Sequence, residues 1–341
     1  MILQDLKTLI EIVLDETESE ERVFEAINGM KDLYESHTGK TRESLKNMGI
    51  ALQRGVAISP SQAAYCLVYT PMRSVVFLRG IYKAILHALS ISPGECIRIF
   101  YAGCGPYAAL LTPFTALFGA DELAYYLLDI NPESIEVAQK LYESLGAGAY
   151  VRKWLCDDAT TCRLPADATM HVVISETMQK ALSEEPQVAI MQNLIPQMAP
   201  DAVFIPEEIN VRIKLLNQED AARFNFFGDY VPECIDLGSL YTIGRHEYES
   251  PAPVTVQIPM NYGCFKTLAL FTDIRVYGEE KLKAYASHLN TPVWVDEVDG
   301  KPGVKITFSY EMTATPGFRH KWEPYSFPSR QAPTKIFIGT P

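Results

Sequence analysis

The chain has 341 residues, 48% of them hydrophobic and 21% charged, which is typical of a globular protein large enough for two domains and a helical appendage. Its net charge of −12 argues against nucleic acid as a partner and suits a cationic one. No apolar run approaches the ~20 residues of a membrane span, and the seven cysteines show no CxxC spacing, so we expect a cytoplasmic protein with free thiols, without a membrane span, zinc site or disulfide framework.

The first 90 residues are predicted to be helical. Apolar residues recur at helical spacing from Leu3 to Val13 and from Val23 to Leu33, and a break is expected at His37-Thr38-Gly39. Acids within the first run distinguish it from a signal peptide. A further helix is predicted over 73–89. We interpret this segment either as a cap over a ligand or as a packing or dimerisation appendage, and we expect a homodimer.

The run from Ile97 to Asp129 predicts one βαβ unit that binds a nucleoside. Its parts are an apolar strand, the turn Gly103-Cys104-Gly105, a helix-like segment from Tyr107 to Phe118 and a second strand that ends in Asp129. Glycines let the backbone approach a ligand at a helix start, and an acid at this strand end can accept hydrogen bonds from a ribose diol. A glycine pair also occurs in ordinary turns, but the acid favours the binding interpretation.

Two further strands are predicted over 150–155 and 171–175, and acids follow both. Asp157 and Asp158 come after the first and could cap the turn there. Glu176 follows the second, at the edge where open α/β sheets bind ligands, and Glu185 comes nine residues later. Two carboxylates on one loop suit a guanidinium, whose planar donors pair bidentately with them. The alternative is that Glu184 and Glu185 are solvated acids at a helix start.

The glycine turn resembles the first motif of class I S-adenosylmethionine methyltransferases, acid-x-G-x-G-x-G. Tyr101 stands in place of the acid and Tyr107 in place of the last glycine. The resemblance implies S-adenosylmethionine as the cofactor. It also implies the residues that bind this cofactor in the sheet, with Asp158 bonded to the adenine amino group: Gly103, Gly105, Asp129 and Asp158.

The loop that starts at Ser175 resembles the double-E loop of protein arginine methyltransferases, S-E-W-M-G-Y-x-L-x-x-E. The positions that match in register are Ser175, Glu176, Met178, Leu182 and Glu185. The resemblance implies that Glu176 and Glu185 are catalytic residues that hold the guanidinium, with Met178 at the substrate site. Arg73 loosely resembles the family arginine that pairs with the cofactor carboxylate. In this loop Thr177 replaces the family Trp, and Gln179-Lys180 replaces Gly-Tyr.

From Glu208 onward, alternating runs separated by Pro, Gly and Asn predict an antiparallel sandwich or barrel. The predicted strands are Ile209–Leu215, Val254–Ile258, Thr267–Val276, Val293–Val295 and Val304–Tyr310. This agrees with the β-barrel domain of arginine methyltransferases. Phe318-Arg319-His320-Lys321-Trp322 resembles the family's Thr-His-Trp loop with one inserted residue. The resemblance implies an active-site role for His320 and a substrate contact for Trp322, while the alternative is a structural His–Trp pair.

Together these features predict an α/β protein with three parts: a helical segment over 1–90, a class I methyltransferase (Rossmann-like) domain over 91–206 and a β-barrel-like substrate domain over 207–341. The expected reaction is methyl transfer to a guanidino nitrogen. Because the loop is altered and the helical N-terminus is foreign to the family, free L-arginine or a small guanidino natural-product precursor is favoured over a basic peptide. Two alternatives are a methyltransferase for a non-guanidino amine or hydroxyl metabolite and, because of Tyr101 and Tyr107, an inactive cofactor-binding scaffold.

Overall fold

A computed structural model describes residues 2–223, 230–282 and 284–323 of the protein. Its helices are α1 (Ile2–Leu14), α2 (Glu20–Thr38), α3 (Pro60–Tyr69), α4 (Pro71–Ile91), α5 (Pro132–Ser144), α6 (Gln187–Leu194) and α7 (Gln218–Ala221). Its strands are β1 (Ile50–Leu52), β2 (Gly55–Ala57), β3 (Ile97–Ala102), β4 (Leu123–Asp129), β5 (Val151–Cys156), β6 (Val172–Ser175), β7 (Val203–Ile205), β8 (Glu208–Leu216), β9 (Cys234–Gly244), β10 (Val254–Gln257), β11 (Thr267–Tyr277), β12 (Glu280–Leu282), β13 (Val293–Glu297), β14 (Lys305–Glu311) and β15 (Gly317–Trp322).

The N-terminal segment is mostly helical, as predicted. Gly39 ends α2 in the left-handed region at φ 63°, and its N–H bonds to the carbonyl of Glu35. Pro60 and Pro71 open α3 and α4, because proline fits the first helical position. The hairpin β1–β2 is an element that the sequence analysis did not predict.

Helix α4 corrects the expectation that no apolar run approaches the length of a membrane span. With 21 residues and a hydropathy of 1.4, it is long and apolar enough to cross a membrane by length and composition. More than half of its apolar window is nevertheless buried inside the protein, and α4 packs on β11 and β12. It is therefore a core helix of this fold.

The central sheet has five parallel strands in the order β5-β4-β3-β6-β7. The chain builds β3, β4 and β5 outward and then returns past β3 to place β6 and β7, so the strand order reverses beside β3. Pairing aligns Ala102 with Ser175 and Leu128, and Asp129 with Cys156. Ligands bind at such a reversal, beyond the carboxyl ends of the strands. The predicted Rossmann-like class is confirmed by this topology.

One predicted helix is wrong. From Tyr107 to Phe118 the chain forms turns and a single 3-10 helix, Thr112–Ala116, instead of an α-helix. Ala108 has a φ of 43°, which is incompatible with a right-handed helix, and Pro113 lacks the N–H that an interior helical position needs. The segment is still buried, so its apolar pattern reflects core packing rather than helical repetition.

The C-terminal part is antiparallel, as predicted. A five-stranded sheet has the order β12-β11-β8-β9, with β13 also paired to β11, and a three-stranded sheet has the order β10-β14-β15. Over the described ranges these pairings form two sheets rather than one closed ring. Strand β9 was not predicted, and β15 occupies the segment expected to be an active-site loop. Residues 324–341 of the predicted domain lie outside the described residues.

Candidate functional site

Asp129 closes the glycine turn at the carboxyl edge of the parallel sheet. Gly103 and Gly105 have φ values of 75° and 67°, in the left-handed region that favours glycine. Asp129 accepts hydrogen bonds from the N–H of Gly105 and from that of Asn131, each at 2.8 Å. The pKa of Asp129 is raised, because the effect of burial outweighs the two N–H bonds, which lower it. The acid therefore holds the turn in place and also lines the cavity above it.

Tyr101 and Asp158 line the same cavity. Tyr101 occupies the position of the acid in the acid-x-G-x-G-x-G motif. Burial raises the pKa of Tyr101, so its side chain presents a neutral hydroxyl. Oδ1 of Asp158 accepts bonds from both the N–H and the hydroxyl of Thr160, at 2.8 Å each. Asp158 thus caps the turn after β5, and the capping does not remove it from the cavity.

The loop from Glu176 to Glu185, called the acidic loop below, has a forced backbone. Three of its non-glycine residues have positive φ: Ala181 at 51°, Leu182 at 55° and Glu184 at 62°. Such conformations cost of order 1–3 kcal/mol each and persist only where the surroundings impose them. Four hydrogen bonds from other parts of the chain hold the loop in these conformations. They are Ala181 N–H to Thr272 Oγ1 (2.8 Å), Tyr310 hydroxyl to Leu182 carbonyl (2.7 Å), Glu184 N–H to Pro316 carbonyl (3.0 Å) and Val56 N–H to Glu184 carbonyl (2.8 Å).

Both sequence-predicted carboxylates enter one cavity with the glycine turn. This cavity is partly open to solvent. Glu176 forms an ion pair with Arg73 of α4, and both side chains are buried. Glu185 is also buried and accepts a 2.7 Å hydrogen bond from Nε2 of Gln179. The structure therefore places Arg73, Glu176 and Glu185 around one cavity, with Arg73 paired to Glu176.

The ionisation of Glu185 is set mainly by its burial. Burial raises its pKa to about 7, although the Gln179 hydrogen bond and the charge of Arg73 both lower it; the charge of Glu184 raises it. A carboxyl group with this pKa exchanges a proton near neutral pH. A cation placed beside it favours the ionised form.

The N-terminal segment covers the cavity. Leu52, Ile58 and Cys66 are among its lining residues. The carbonyl of Ile58 accepts a hydrogen bond from Nδ2 of Asn131 at 3.2 Å, and Val56 bonds the acidic loop, so the hairpin spans from one wall to the other. Other parts of the segment pack elsewhere on the protein, since α2 contacts α5 and both α1 and α2 contact α4.

His320 and Trp322 lie apart from the cavity. They belong to β15, where His320 is 3.9 Å from Asp296 and Nε1 of Trp322 donates to Asp296 at 2.6 Å. The start of this segment reaches the acidic loop, where the carbonyl of Pro316 accepts a hydrogen bond from the N–H of Glu184. The expected placement of His320 and Trp322 against that loop is wrong, because β15 pairs with β14 and directs both side chains to the side of β13. Met178, which the resemblance placed at the substrate site, is buried in the core and does not line the cavity.

His288 is the histidine beside the acidic loop, and the sequence analysis missed it. Its Nδ1 lies 3.1 Å from Oγ1 of Thr70, three residues before Arg73. Burial, together with the charges of Arg73 and Lys180, lowers the pKa of His288 to about 4, so the ring is neutral at pH 7. No local pattern marked it, since it lies in the turn between β12 and β13 without an aromatic neighbour in sequence.

Comparisons with known proteins add a distant likeness. No family model and no curated protein matches the chain. Among solved structures, a PRMT1 enzyme–prozyme heterotetramer of Trypanosoma brucei with AdoHcy is 11% identical, covers 71% of this chain and 84% of its own, and has a TM-score of 0.44. PRMT6 with SAH is 10% identical, covers 72% and 96%, and has a TM-score of 0.49. At these scores the likeness carries no argument, and the fold class rests on the strand order.

Proposed function

We propose that the protein is an S-adenosylmethionine-dependent methyltransferase that acts on a guanidino nitrogen of arginine or a small arginine-like compound. One observation carries this proposal: Glu176 and Glu185 line the same cavity as Gly103 and Asp129. A cation-binding pair of acids thus adjoins a nucleoside-type turn. Neither feature alone would indicate this reaction.

The polar groups of the cavity fit the cofactor. Two left-handed glycines and the Asp129 carboxylate suit the nucleoside, and Asp158 suits its base. Arg73 suits the carboxylate of the methionine part, because a guanidinium has five N–H donors and can hold a second carboxylate while it pairs with Glu176. S-adenosylmethionine supplies a methyl group that is already activated by its sulfonium charge.

The residues of the acidic loop orient the acceptor and take its proton. Glu176, held by Arg73, and Glu185, held by Gln179, give two fixed carboxylates for the planar fork of a guanidinium. As the N–C bond formed, the methyl–sulfur bond would break and leave a neutral thioether, and the methylated nitrogen would become acidic and release a proton. Glu185 is the acceptor that we assign, because its pKa is about 7, whereas that of His288 is about 4.

A small acceptor is favoured over a folded protein surface. The acidic loop lies under the β1–β2 hairpin, and Val56 bonds directly to Glu184. At Gly55 a Cβ atom would come within 2.8 Å of Pro186, so the hairpin and the loop are in close contact. A peptide would have to enter beneath this cover.

The test is methyl transfer from isotope-labelled S-adenosylmethionine, followed by mass spectrometry. The acceptors are L-arginine, an arginine-containing peptide and simple amines. Labelled methylarginine from L-arginine supports the proposal. Labelling of amines without labelling of any guanidine contradicts it.

A further inference from the structure

A second cavity adjoins the first on the far side of Glu185. Glu185 and Ile58 line both cavities, so the two spaces share a wall. The second is bounded by the β1–β2 hairpin, by residues 179–185 of the acidic loop and by residues 315–319 before and within β15. A molecule whose guanidinium is held at Glu185 therefore has room to extend into this second space.

The charges that line the second cavity are of both signs. Glu184 and Glu185 contribute acids, and Lys180 and Arg319 contribute cations. Arg319 is already engaged: it donates to the carbonyls of Phe318 and Thr315, and its Nε lies 3.6 Å from Glu311. Lys180 has no ion-paired carboxylate and no side-chain hydrogen bond within the part of the chain that the structure describes.

Lys180 lies in a half-buried position on the wall of the second cavity. Its charge is felt inside the fold, because it contributes to the lowered pKa of His288. A partly desolvated ammonium is stabilised most by an anion at hydrogen-bonding distance. The next two residues, Ala181 and Leu182, both have positive φ and reverse the chain, which returns Glu185 to the cavity that Lys180 lines.

We propose that Lys180 binds a carboxylate of the substrate, so that the acceptor is a guanidino acid with its cationic end at Glu185 and its anionic end at Lys180. This inference rests on the proposed function and specifies its substrate class. A residue of arginine inside a peptide has no such carboxylate, since its carbonyl carbon is in an amide bond. Lys180 is thus a specificity-determining residue rather than a catalytic one.

The experiment compares L-arginine with L-argininamide, which keeps the guanidine and the α-amino group but lacks the carboxylate. For each, kcat/KM is measured in wild type, in Lys180→Met and in Lys305→Met, a matched variant at an exposed lysine of β14 outside both cavities. Wild type is expected to prefer L-arginine, and Lys180→Met should reduce this preference about 10- to 100-fold, as expected for a hydrogen bond between charged groups. Lys305→Met should retain the preference.

Binding supplies a second measurement that does not depend on turnover. Calorimetric titration of both ligands into S-adenosylhomocysteine-saturated protein should give the same change of preference, and thermal unfolding confirms that Lys180→Met is folded. Equal values for the two acceptors in wild type, or an unchanged preference in Lys180→Met, would overturn the role of Lys180 while guanidine methylation stands. If wild type methylates neither compound nor an arginine peptide, the proposed function is wrong, and this inference with it.

Discussion

Gln179 donates a hydrogen bond from its side-chain amide to Oε1 of Glu185 across 2.7 Å. The two residues are six positions apart, and the reversed backbone between them brings their side chains together. The bond acts against burial, which is the main cause of the raised pKa of Glu185. Gln179 therefore orients the assigned proton acceptor and lowers its pKa against the larger effect of burial.

Removal of this donor should move the pH dependence of the reaction. In Gln179→Leu the pKa of Glu185 rises, because the bond to the ionised form is lost while the burial remains. The acidic limb of the kcat/KM profile should then shift to higher pH. Gln192→Leu, at an exposed amide that bonds Ser250, serves as the control and should keep the wild-type profile. An unshifted limb in Gln179→Leu would refute the assignment of Glu185 as the titrating group.

The buried carboxyl group should also make stability depend on pH. The pKa of Glu185 is about 7 in the folded protein against 4.5 for an ordinary glutamate, so the folded state holds the proton more tightly. The stabilisation that this proton binding gives to the folded state is complete below pH 4.5. It is lost as the pH rises to about 7, by about 3 kcal/mol in total. Glu185→Gln should therefore unfold like wild type near pH 4 and be more stable at pH 8. Denaturant titrations at the two pH values measure this, and a variant less stable at pH 8 would contradict it.

Arg73 and Glu176 should be coupled in stability. Because the pair is buried, Arg73→Met leaves an unpaired carboxylate and should cost about 3–5 kcal/mol of unfolding free energy. The double variant with Glu176→Gln removes that charge and should recover much of the loss. A double-mutant cycle by chemical denaturation gives the coupling energy. Additive losses would show that the two groups do not interact.

Replacement of Gly103 by alanine should destabilise the protein more than the backbone conformation alone would. An alanine there adopts φ 75° and also places Cβ 2.6 Å from Cγ2 of Thr177. Gly94 has φ 80° with no atom within 4 Å of the Cβ position, so Gly94→Ala measures the backbone cost alone, about 1–2 kcal/mol.

Gly103→Ala should lower the melting temperature more than Gly94→Ala does. Thr177→Ser removes Cγ2, so in the Thr177→Ser background Gly103→Ala should lower the melting temperature no more than Gly94→Ala does. The same loss at both glycines would mean that Thr177 gives way without cost.

The sheet and its acids could be predicted from the sequence because their patterns are local. Strand β4 is a continuous apolar run that ends in Asp129, which is what a buried parallel strand looks like. Glu176 could be placed because it follows the apolar run of β6 directly, at the edge where ligands bind.

Other features depend on contacts that no local pattern contains. The apolar stretch after the glycine turn looks helical, yet the conformation of Ala108 excludes a helix there. His288 reaches the acidic loop only through the packing of the β domain, whereas His320 has the more suggestive neighbours in sequence. The positive φ values of Ala181, Leu182 and Glu184 are likewise imposed from Val56, Thr272, Tyr310 and Pro316, which lie far away along the chain.

The central claim is that Glu176 and Glu185 grip a guanidinium next to the nucleoside-type cavity. The most direct measurement is a crystal structure of the protein with S-adenosylhomocysteine and L-arginine. The account predicts a guanidinium within hydrogen-bonding distance of both carboxylates, with the nucleoside against Asp129. An arginine bound elsewhere, or both glutamates turned toward other partners while the product occupies the cavity, would contradict it.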